Sequence, residues 1–269
     1  MQKIAIQGYE GSFHHIAANM HFGSDIDILP CDTFRAVANA VKQGHAYMGL
    51  MAIENSIAGS IIPNYSILQD ENLQVAGEVY LPIKQNLMVL PDVELEDIRE
   101  VESHSMALLQ CVDYLDEHPW KLIESEDTAL SAKHIAEKGL RHTAAIASEL
   151  AAQMFGLKII APEINTIKSN YTRFMVLKRY DHNIDNNANK ASLYFKTDHK
   201  EGSLLKALSC LNGINLSKLQ SYPIPSEPWH YLFHIDLEFT CLDDYIRNLN
   251  RLQEVTREIH VYGVYKSGK

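Results

Sequence analysis

The chain has 269 residues, of which 46% are hydrophobic and 22% are charged, and its formal net charge is −10. This length is enough for two domains, and the composition is typical of a globular protein. The acidic balance argues against a nucleic-acid-binding protein, because phosphate backbones favour a basic protein face. No run of residues approaches the ~20 apolar residues that a membrane helix needs, so no membrane partner is expected.

Processing and metal-binding signals are equally sparse. The N-terminus enters an apolar strand pattern at once, without the apolar core and small residues of a signal peptide. We therefore expect a cytoplasmic protein. The four cysteines form no CxxC pair and the thirteen histidines form no HExxH pair, so neither a metal site nor any other cofactor is predicted.

Short apolar runs alternate with amphipathic helical patterns along the first 180 residues. Strands are predicted at 3–7, 26–29, 48–53, 74–79, 87–90, 143–147 and 175–178. Helices are predicted at 13–20, 34–43, 129–138 and 148–156, and from a cap at Ser103 or Ser105 to residue 115. This alternation of strands and helices predicts an α/β fold with mostly parallel sheets.

The remainder of the chain has a different pattern. Residues 181–190 are polar and rich in asparagine, which predicts a linker. Strands then follow at 191–197, 216–221, 231–239 and 259–265, with helices at 203–212 and 242–256. This order predicts a ferredoxin-like βαββαβ unit of about 75 residues.

Small polar residues recur in the first part where a strand is predicted to end and a helix to begin. They are Ser12, Asn55 with Ser56, Ser103, Thr128 and Ser148. Helix N-termini carry unpaired N–H groups, and open α/β sheets bind ligands beyond the carboxyl ends of their strands. The pattern therefore predicts a small-anion site made of amides and hydroxyls, although each of these residues could equally be a helix cap alone.

A polar cluster, Asn170-Tyr-Thr-Arg-Phe174, stands just before the last strand of this part. Arg173 could clamp a carboxylate through two hydrogen bonds, and Thr172 could donate a proton or hydrogen bond to a leaving oxygen. Alternatively, Arg173 pairs with a nearby acid and Thr172 only extends a strand. Glu54 is a possible general acid but is more often a solvated or capping residue. The residues alone therefore predict a two-lobed α/β protein that binds a small anion, without identifying a reaction.

Several segments carry recognisable patterns in a fixed order. They are Gly8-Tyr-Glu-Gly-Ser-Phe13, Ile53-Glu-Asn-Ser-Ile-Ala-Gly59, Ser103-His-Ser-Met-Ala-Leu-Leu-Gln-Cys111, Asp127-Thr-Ala129 with Ala145-Ile-Ala-Ser148, and Asn170-Tyr-Thr-Arg-Phe174. Together they resemble the motifs of the prephenate dehydratase family over nearly the whole chain. Ser105, Met106 and Ala52 depart from the family's usual Pro, Gln and Pro. Since Asn55, Ser103, Gln110 and Thr172 still match, we expect an active enzyme.

The resemblance implies two α/β lobes joined like those of the periplasmic binding proteins, with the substrate in the cleft. The catalytic domain would be residues 1–180, with lobe one at about 1–78 and 160–180 and lobe two at about 79–159. The implied reaction converts prephenate to phenylpyruvate with loss of water and CO₂, in L-phenylalanine biosynthesis. It is a carbon–oxygen lyase reaction without a cofactor. No chorismate mutase segment precedes Met1, so a monofunctional enzyme is expected.

The family pattern also assigns roles to single residues. Thr172 is expected to be catalytic, as the donor at the leaving hydroxyl. The expected substrate-binding residues are Ser12, Asn55, Ser56, Ser103, Gln110, Ser148, Arg173 and Phe174.

The C-terminal unit, residues 191–269, resembles an ACT domain, the amino-acid-sensing module of this family. Gly202-Ser-Leu-Leu205, Gly213-Ile-Asn-Leu216 and Tyr231-Leu-Phe-His-Ile-Asp-Leu237 carry the likeness. Phenylalanine is the expected effector, and a homodimer or homotetramer is implied. The residues expected at the effector site are Gly202, Ser203, Leu204, Leu205, Asn215, Leu216, Gln220, Ser221, Tyr222 and Pro223. The family's Glu-Ser-Arg-Pro turn reads Gln-Ser-Tyr-Pro here, which leaves open whether the response to phenylalanine is kept.

Two other functions stay open on the sequence alone. An arogenate dehydratase would perform the same chemistry on an aminated side chain. A non-catalytic two-lobed protein would bind a small anion without turning it over.

Overall fold

The chain is described by a computed structural model over residues 2–70, 73–181, 185–224 and 226–269. It divides into two compact units, Met1–Asn64 with Val79–Phe174, and Tyr65–Glu78 with Met175–Lys269. The predicted linker at 181–190 lies partly outside the described residues, since 182–184 are not described, and its last residue begins a strand. The lobe boundaries expected from the sequence remain a prediction. None of the described helices is long and apolar enough to cross a membrane.

The first two-thirds of the chain alternates strands and helices. The elements are β1 (Lys3–Gln7), α1 (Phe13–Phe22), β2 (Asp27–Cys31), α2 (Phe34–Lys42), β3 (Met48–Asn55), β4 (Gly59–Ser60), α3 (Ile62–Asp70), β5 (Leu73–Pro82), β6 (Asn86–Val89), a 3₁₀ turn (Leu95–Asp97), β7 (Glu100–His104), α4 (Ser105–Gln110), α5 (Val112–Leu115), β8 (Lys121–Ser125), α6 (Thr128–Lys138), β9 (Thr143–Ala147), α7 (Glu149–Phe155), β10 (Lys158–Ala161) and β11 (Tyr171–Arg179).

The first sheet has the strand order β2-β1-β3-β11-β5, and β4 pairs with β3. Strand β1 runs parallel to both β2 and β3, whereas β4 runs antiparallel to β3. Ile4, Ala5 and Ile6 of β1 are all fully buried. Such a continuous apolar run is typical of a strand that is covered on both faces of its sheet.

The second sheet has the order β10-β6-β9-β7-β8. Strands β8 and β9 run parallel to β7, but β6 runs antiparallel to both β9 and β10. Alternate residues of β9 enter different cores: Ala144 and Ile146 pack on one face, Ala145 and Ala147 on the other. The predicted α/β fold is confirmed, and both sheets are mixed, since each has antiparallel as well as parallel strand pairs.

Several predicted elements need correction. Helix α3 and strands β7, β8 and β10 are absent from the sequence-based prediction. The helix expected to run from Ser103 or Ser105 to 115 is instead the end of β7 followed by the separate helices α4 and α5. The sequence of β7, Glu-Val-Glu-Ser-His, has no apolar run, because only Val101 and Ser103 point into the interior. A strand with so few apolar residues gives no hydrophobic periodicity from which it could be predicted.

The C-terminal unit contains the predicted βαββαβ order. Its elements are β12 (Lys190–Lys196), α8 (Ser203–Ser209), β13 (Asn215–Pro223), β14 (Tyr231–Glu238), α9 (Leu242–Val255) and β15 (Glu258–Tyr265). They form an antiparallel sheet of order β13-β14-β12-β15. Leu193, Phe195 and Leu237 form the middle of its core, together with residues of α8 and α9.

Candidate functional site

A cavity of about 670 Å³ lies in the first unit. Residues from the ends of several strands and the beginnings of several helices line it. They are Gln7, Ser12, Phe13, His14, Asp32, Thr33, Phe34, Ala52, Asn55, Ala58, Ile61, Ile83, Gln85, His104, Met106, Ala107, Gln110, Glu126, Asp127, Thr128, Thr172 and Phe174. The volume is in the range of small-molecule sites. The position agrees with the rule that ligands bind at the carboxyl ends of strands in open α/β sheets.

Asn55 and Thr172 belong to the cavity wall and form a hydrogen-bonded group with the buried Asn170. The side-chain amide of Asn55 donates to Oγ1 of Thr172 at 3.0 Å and to Oδ1 of Asn170 at 2.7 Å. Its own Oδ1 accepts from the backbone N–H groups of Ile57 and Ala58 at 3.0 and 2.9 Å. These bonds fix the orientation of the amide, so that Asn55 holds the Thr172 hydroxyl in one position. Asn55 ends β3 and begins a turn, not the helix expected there.

Thr172 and Phe174 line the cavity, whereas Arg173 between them does not. Only Asn170 of the motif precedes β11, whereas the expectation placed the whole motif before a strand. Residues 171–174 begin β11, and successive side chains of a strand point to opposite faces. Arg173 is 3% exposed, and its guanidinium lies 3.8 Å from the carboxylate of Glu54 and 5.9 Å from the ring centre of Tyr80. The expectation that Arg173 clamps a substrate carboxylate is therefore not supported by this geometry, and neither is Glu54 as a free acid.

The predicted serines fall into two groups. Ser12 lines the cavity, and its hydroxyl caps α1 by accepting from the N–H of His15 at 3.3 Å. Ser148 lies behind the wall, where it caps α7 and donates to the carbonyl of Gly11 at 2.6 Å. It therefore supports the turn that precedes α1 and does not belong to the described lining, while its role in substrate binding stays a prediction.

Ser56, Ser103 and Thr128 also differ from expectation. Ser103 is fully buried inside β7 and donates to the carbonyl of Ile146 at 2.6 Å, so it caps no helix and does not line the cavity. Ser56 is exposed and accepts from the N–H of Tyr171 at 2.9 Å. Thr128 lines the cavity, but the cap of α6 is Asp127.

Gln110 lies on the cavity wall, as predicted, and contacts a residue that the sequence did not suggest. Its Oε1 accepts from the amide of Gln85 at 3.3 Å. Both residues line the cavity, so they add a pair of side-chain amides to its polar groups. No motif marks Gln85, because an isolated glutamine carries no sequence signal.

Two histidines of the lining were also missed. His14 packs edge-on against Phe174 at 4.9 Å and tilted against Phe34 at 5.4 Å between ring centres. Burial lowers the pKa of His14 to about 4, so its ring is neutral at neutral pH. His104 ends β7 and caps α4, its Nδ1 accepting from the N–H of Met106 at 3.2 Å. The serine–histidine pair in the third motif was the available signal for His104.

Asp127 is the most constrained acid of the cavity. Its Oδ1 accepts from the N–H groups of Ala129 and Leu130 at 2.7 and 3.0 Å. Burial raises the pKa of Asp127, while these backbone bonds and the nearby His104 act in the opposite direction. Gly8 lies against the other oxygen: a Cβ there would be 2.9 Å from Oδ2, and the backbone φ of +88° also favours glycine.

The charges of the lining have one sign. Asp32, Glu126 and Asp127 are acidic, and no lysine or arginine belongs to the described lining. An anionic ligand would therefore be bound by neutral donors, namely side-chain amides, hydroxyls, a histidine N–H and backbone N–H groups at helix starts. The remaining lining is largely apolar, with phenylalanine, isoleucine, methionine and alanine side chains. In the described parts of the chain, no three His, Cys, Asp or Glu side chains converge to form a metal site.

The residues expected at an effector site lie on two elements of the second unit. Gly202 starts α8 with φ +77°, Ser203 and Leu204 border a cavity of about 310 Å³, and Leu205 is 71% exposed. The others lie along β13. Asn215 donates to Glu238 at 2.9 Å, Leu216 pairs with Leu237, Gln220 donates to the carbonyl of Ser221, Tyr222 bonds Ser66 at 2.9 Å, and Pro223 ends the strand.

Comparison with known proteins adds a family assignment to this geometry. The family model described as prephenate dehydratase matches residues 4–182. The arogenate dehydratase/prephenate dehydratase 2 of Arabidopsis thaliana, a chloroplastic protein, is 35% identical over 276 residues, which cover 98% of this chain and 72% of that protein.

Solved structures share the fold over the whole chain. The prephenate dehydratase of Arthrobacter aurescens in complex with L-Phe superposes with a TM-score of 0.88 at 26% identity, covering 99% of this chain and 90% of that one. A structure described as GqqA, a novel type of quorum quenching acylase, superposes with a TM-score of 0.89 at 28% identity, covering 99% and 98%. The fold is therefore shared by proteins described with different activities, and the chemistry must be argued from the site.

Proposed function

The chain belongs to the prephenate dehydratase family, and we propose that it is a lyase that converts prephenate to phenylpyruvate. Prephenate carries a ring hydroxyl opposite a quaternary carbon that bears a carboxylate. In the reaction the ring C–O bond and the bond to that carboxylate both break. The electrons of the C–C bond enter the ring, hydroxide leaves as water after gaining a proton, and CO₂ departs. Formation of the aromatic ring drives the step, so the enzyme has to bind the dianion and assist the hydroxide.

The observation that carries the proposal is the orientation of the Thr172 hydroxyl. Its oxygen accepts from the amide of Asn55 at 3.0 Å, and Asn55 is held in turn by Asn170. Because the oxygen is occupied as an acceptor, its proton is directed away from Asn55 and can be donated to the leaving hydroxyl. A preoriented donor of this kind is the form of catalysis that a poor leaving group needs.

The apolar part of the cavity lining favours the release of CO₂, the second product. Phe13, Phe34 and Phe174 give the cavity aromatic surface next to its polar wall. A carboxylate is stabilised less in apolar surroundings than in water, whereas neutral CO₂ loses little there. Loss of CO₂ toward this surface is therefore favoured over retention of the charged group.

An assay of phenylpyruvate absorbance with purified protein and prephenate tests the proposal directly. We expect turnover by the wild type and loss of turnover in Thr172→Ala. Absence of phenylpyruvate with a folded wild type, at millimolar substrate, would contradict it.

One observation favours a second candidate, dehydration of arogenate. Arogenate carries an ammonium group where prephenate carries a keto group, so its charge is less negative by one. The lining has Asp32, Glu126 and Asp127 and no lysine or arginine among its described residues, which favours the less anionic substrate. The ratio of kcat/KM for the two substrates distinguishes the candidates, and a ratio above one for arogenate would select the second.

The C-terminal residues 191–269 form an ACT-like regulatory domain in this proposal, with phenylalanine as feedback inhibitor. The βαββαβ order, the left-handed Gly202 at the start of α8 and the L-Phe complex of the Arthrobacter aurescens structure support it. Pairing of two such domains would give a homodimer or homotetramer, and the enzyme would act in the cytoplasm. Size-exclusion chromatography with light scattering tests the assembly, and a monomer at micromolar concentration would contradict it.

A further inference from the structure

His104 caps the start of α4 through one nitrogen of its ring. Its Nδ1 accepts the N–H of Met106 at 3.2 Å, so this nitrogen carries a lone pair and no proton. A neutral imidazole has its proton on the other nitrogen, which makes Nε2 a donor. The hydrogen bond from Met106 therefore selects the tautomer that carries its proton on Nε2.

The same residue forms part of the wall of a ligand space. His104 belongs to the lining of the 670 Å³ cavity. Over the described residues the ring makes its hydrogen bond through Nδ1, which leaves Nε2–H available. In a lining without lysine or arginine, an anion depends on neutral donors, and such an N–H adds an imidazole donor to the amides and hydroxyls of the wall.

A capping role alone accounts poorly for a histidine at this position. Oxygen side chains are the preferred caps, because one short acceptor is sufficient. The other helices of the cavity follow that preference: Ser12 caps α1, Thr33 caps α2 and Asp127 caps α6. An imidazole adds a donor on the side opposite the acceptor, which a serine or aspartate does not have.

We propose that His104 is a substrate-binding residue whose Nε2–H donates to the carboxylate of the substrate's three-carbon side chain. The inference rests on the proposed function and names the group that the site recognises. The ring carboxylate loses its charge in the reaction, so a donor fixed on it would stabilise the ground state more than the transition state. The side-chain carboxylate keeps its charge throughout, so the same bond stabilises substrate, transition state and product equally.

Two variants separate the donor from the cap. His104→Ser keeps an oxygen cap for Met106 and removes the donor. His104→Gln keeps an N–H donor near the position of Nε2 and weakens the cap. For the serine variant we expect KM for prephenate to rise about 10-fold or more, with kcat changed less than about 3-fold and Tm unchanged. For the glutamine variant we expect a lower Tm with KM within about 3-fold of the wild type.

Phenylpyruvate provides the second readout, because it keeps the side-chain carboxylate and lacks the ring carboxylate. Its inhibition constant and its calorimetric Kd should rise in His104→Ser by the same factor as KM. A serine variant with unchanged KM and unchanged phenylpyruvate affinity overturns the proposal. A raised KM with unchanged phenylpyruvate affinity overturns the choice of carboxylate, since the contact would then be to the ring group. Calorimetry needs no turnover. The Kd for phenylpyruvate therefore tests the role of His104 even if the wild type is inactive on prephenate and the proposed function fails.

Discussion

Two buried polar clusters in this molecule are built in opposite ways. In the second unit, Nζ of Lys190 lies 3.0 Å from both carboxylate oxygens of Glu78, and the two side chains are at most 1% exposed. Ser267 and the N–H of Gly268 donate to the same carboxylate. In the first unit, Asn55 and Thr172 are bonded to each other beside an open cavity. A cluster closed on itself contributes to folding, whereas one that borders a cavity can bind a ligand.

The comparison predicts that substitutions in the two clusters affect different measurements. A change at the cavity should alter kinetics and leave the free energy of unfolding almost unchanged. A change at the cluster of Glu78 and Lys190 should lower the free energy of unfolding and leave the kinetics almost unchanged. The four predictions below test this separation, beginning with the largest effect.

Replacing Thr172 with alanine removes the hydroxyl that Asn55 orients. We expect kcat to fall by a factor on the order of 10²–10⁴, because the leaving hydroxide loses its donor. The change in Tm should be small, since the side chain borders the cavity. Steady-state kinetics and thermal unfolding measure the two effects, with Thr172→Ser as the control that keeps a hydroxyl. A folded alanine variant with wild-type kcat would show that Thr172 is not the donor.

Replacing Glu78 with glutamine removes the closest carboxylate from the buried Nζ of Lys190 and leaves Glu238 at 3.7 Å. We expect the free energy of unfolding to fall by about 3 kcal/mol, because a buried charge that loses its closest partner is costly. Urea unfolding measures this loss. The double variant Glu78→Gln/Lys190→Met should recover part of it, while kcat of the folded fraction stays within about 2-fold of the wild type. A single variant as stable as the wild type would show that the cluster is not compensated as described.

His234 makes stability depend on pH. It bonds Tyr262 at 3.0 Å and Gln69 at 3.2 Å in the second unit, and burial lowers its pKa to about 3. The unfolded chain takes up a proton near pH 6.5 and the folded one does not, so stability is lost as pH falls below 6.5. Between pH 6.5 and pH 5 the loss from this group is about 2 kcal/mol.

Urea unfolding of His234→Phe at pH 7 and pH 5 isolates that contribution. We expect the variant to lose about 2 kcal/mol less than the wild type over this interval. His45→Gln, which changes an exposed histidine, is the control and should retain the wild-type pH dependence. Equal pH dependence in all three proteins would mean that His234 titrates normally in the fold.

Replacing Tyr222 with phenylalanine tests the predicted effector turn. The substitution removes the 2.9 Å hydrogen bond to Ser66 and keeps the ring. We expect the phenylalanine concentration for half-inhibition to rise about 2–10-fold, since one neutral hydrogen bond ties this end of β13 to Ser66. Activity without effector should be unchanged, and Tyr47→Phe, at an exposed tyrosine of the first unit, is the control. Inhibition curves that coincide for the three proteins would remove Tyr222 from the effector site.

The sequence by itself determined the family and much of the architecture. The alternation of apolar runs with capped helices predicted the α/β fold, and the βαββαβ order of the last part is confirmed. It also drew attention to Asn55, Gln110 and Thr172, which do line one cavity. These residues lie in motifs at a strand end or a helix start. Such local patterns can be recognised from the sequence without knowing which distant residues they contact.

Only the tertiary structure decided which polar residues face the cavity. Arg173 and Thr172 are adjacent in one motif, yet strand alternation puts them on opposite faces of the sheet. Ser103 and His104 are likewise adjacent, and the first is buried and bonded to the neighbouring strand β9 while the second lines the cavity. Strand β7 was missed because its neighbours, not its own apolar content, make it a strand. Which face of a strand is open depends on what packs against the other face, and that is set by residues far away in sequence.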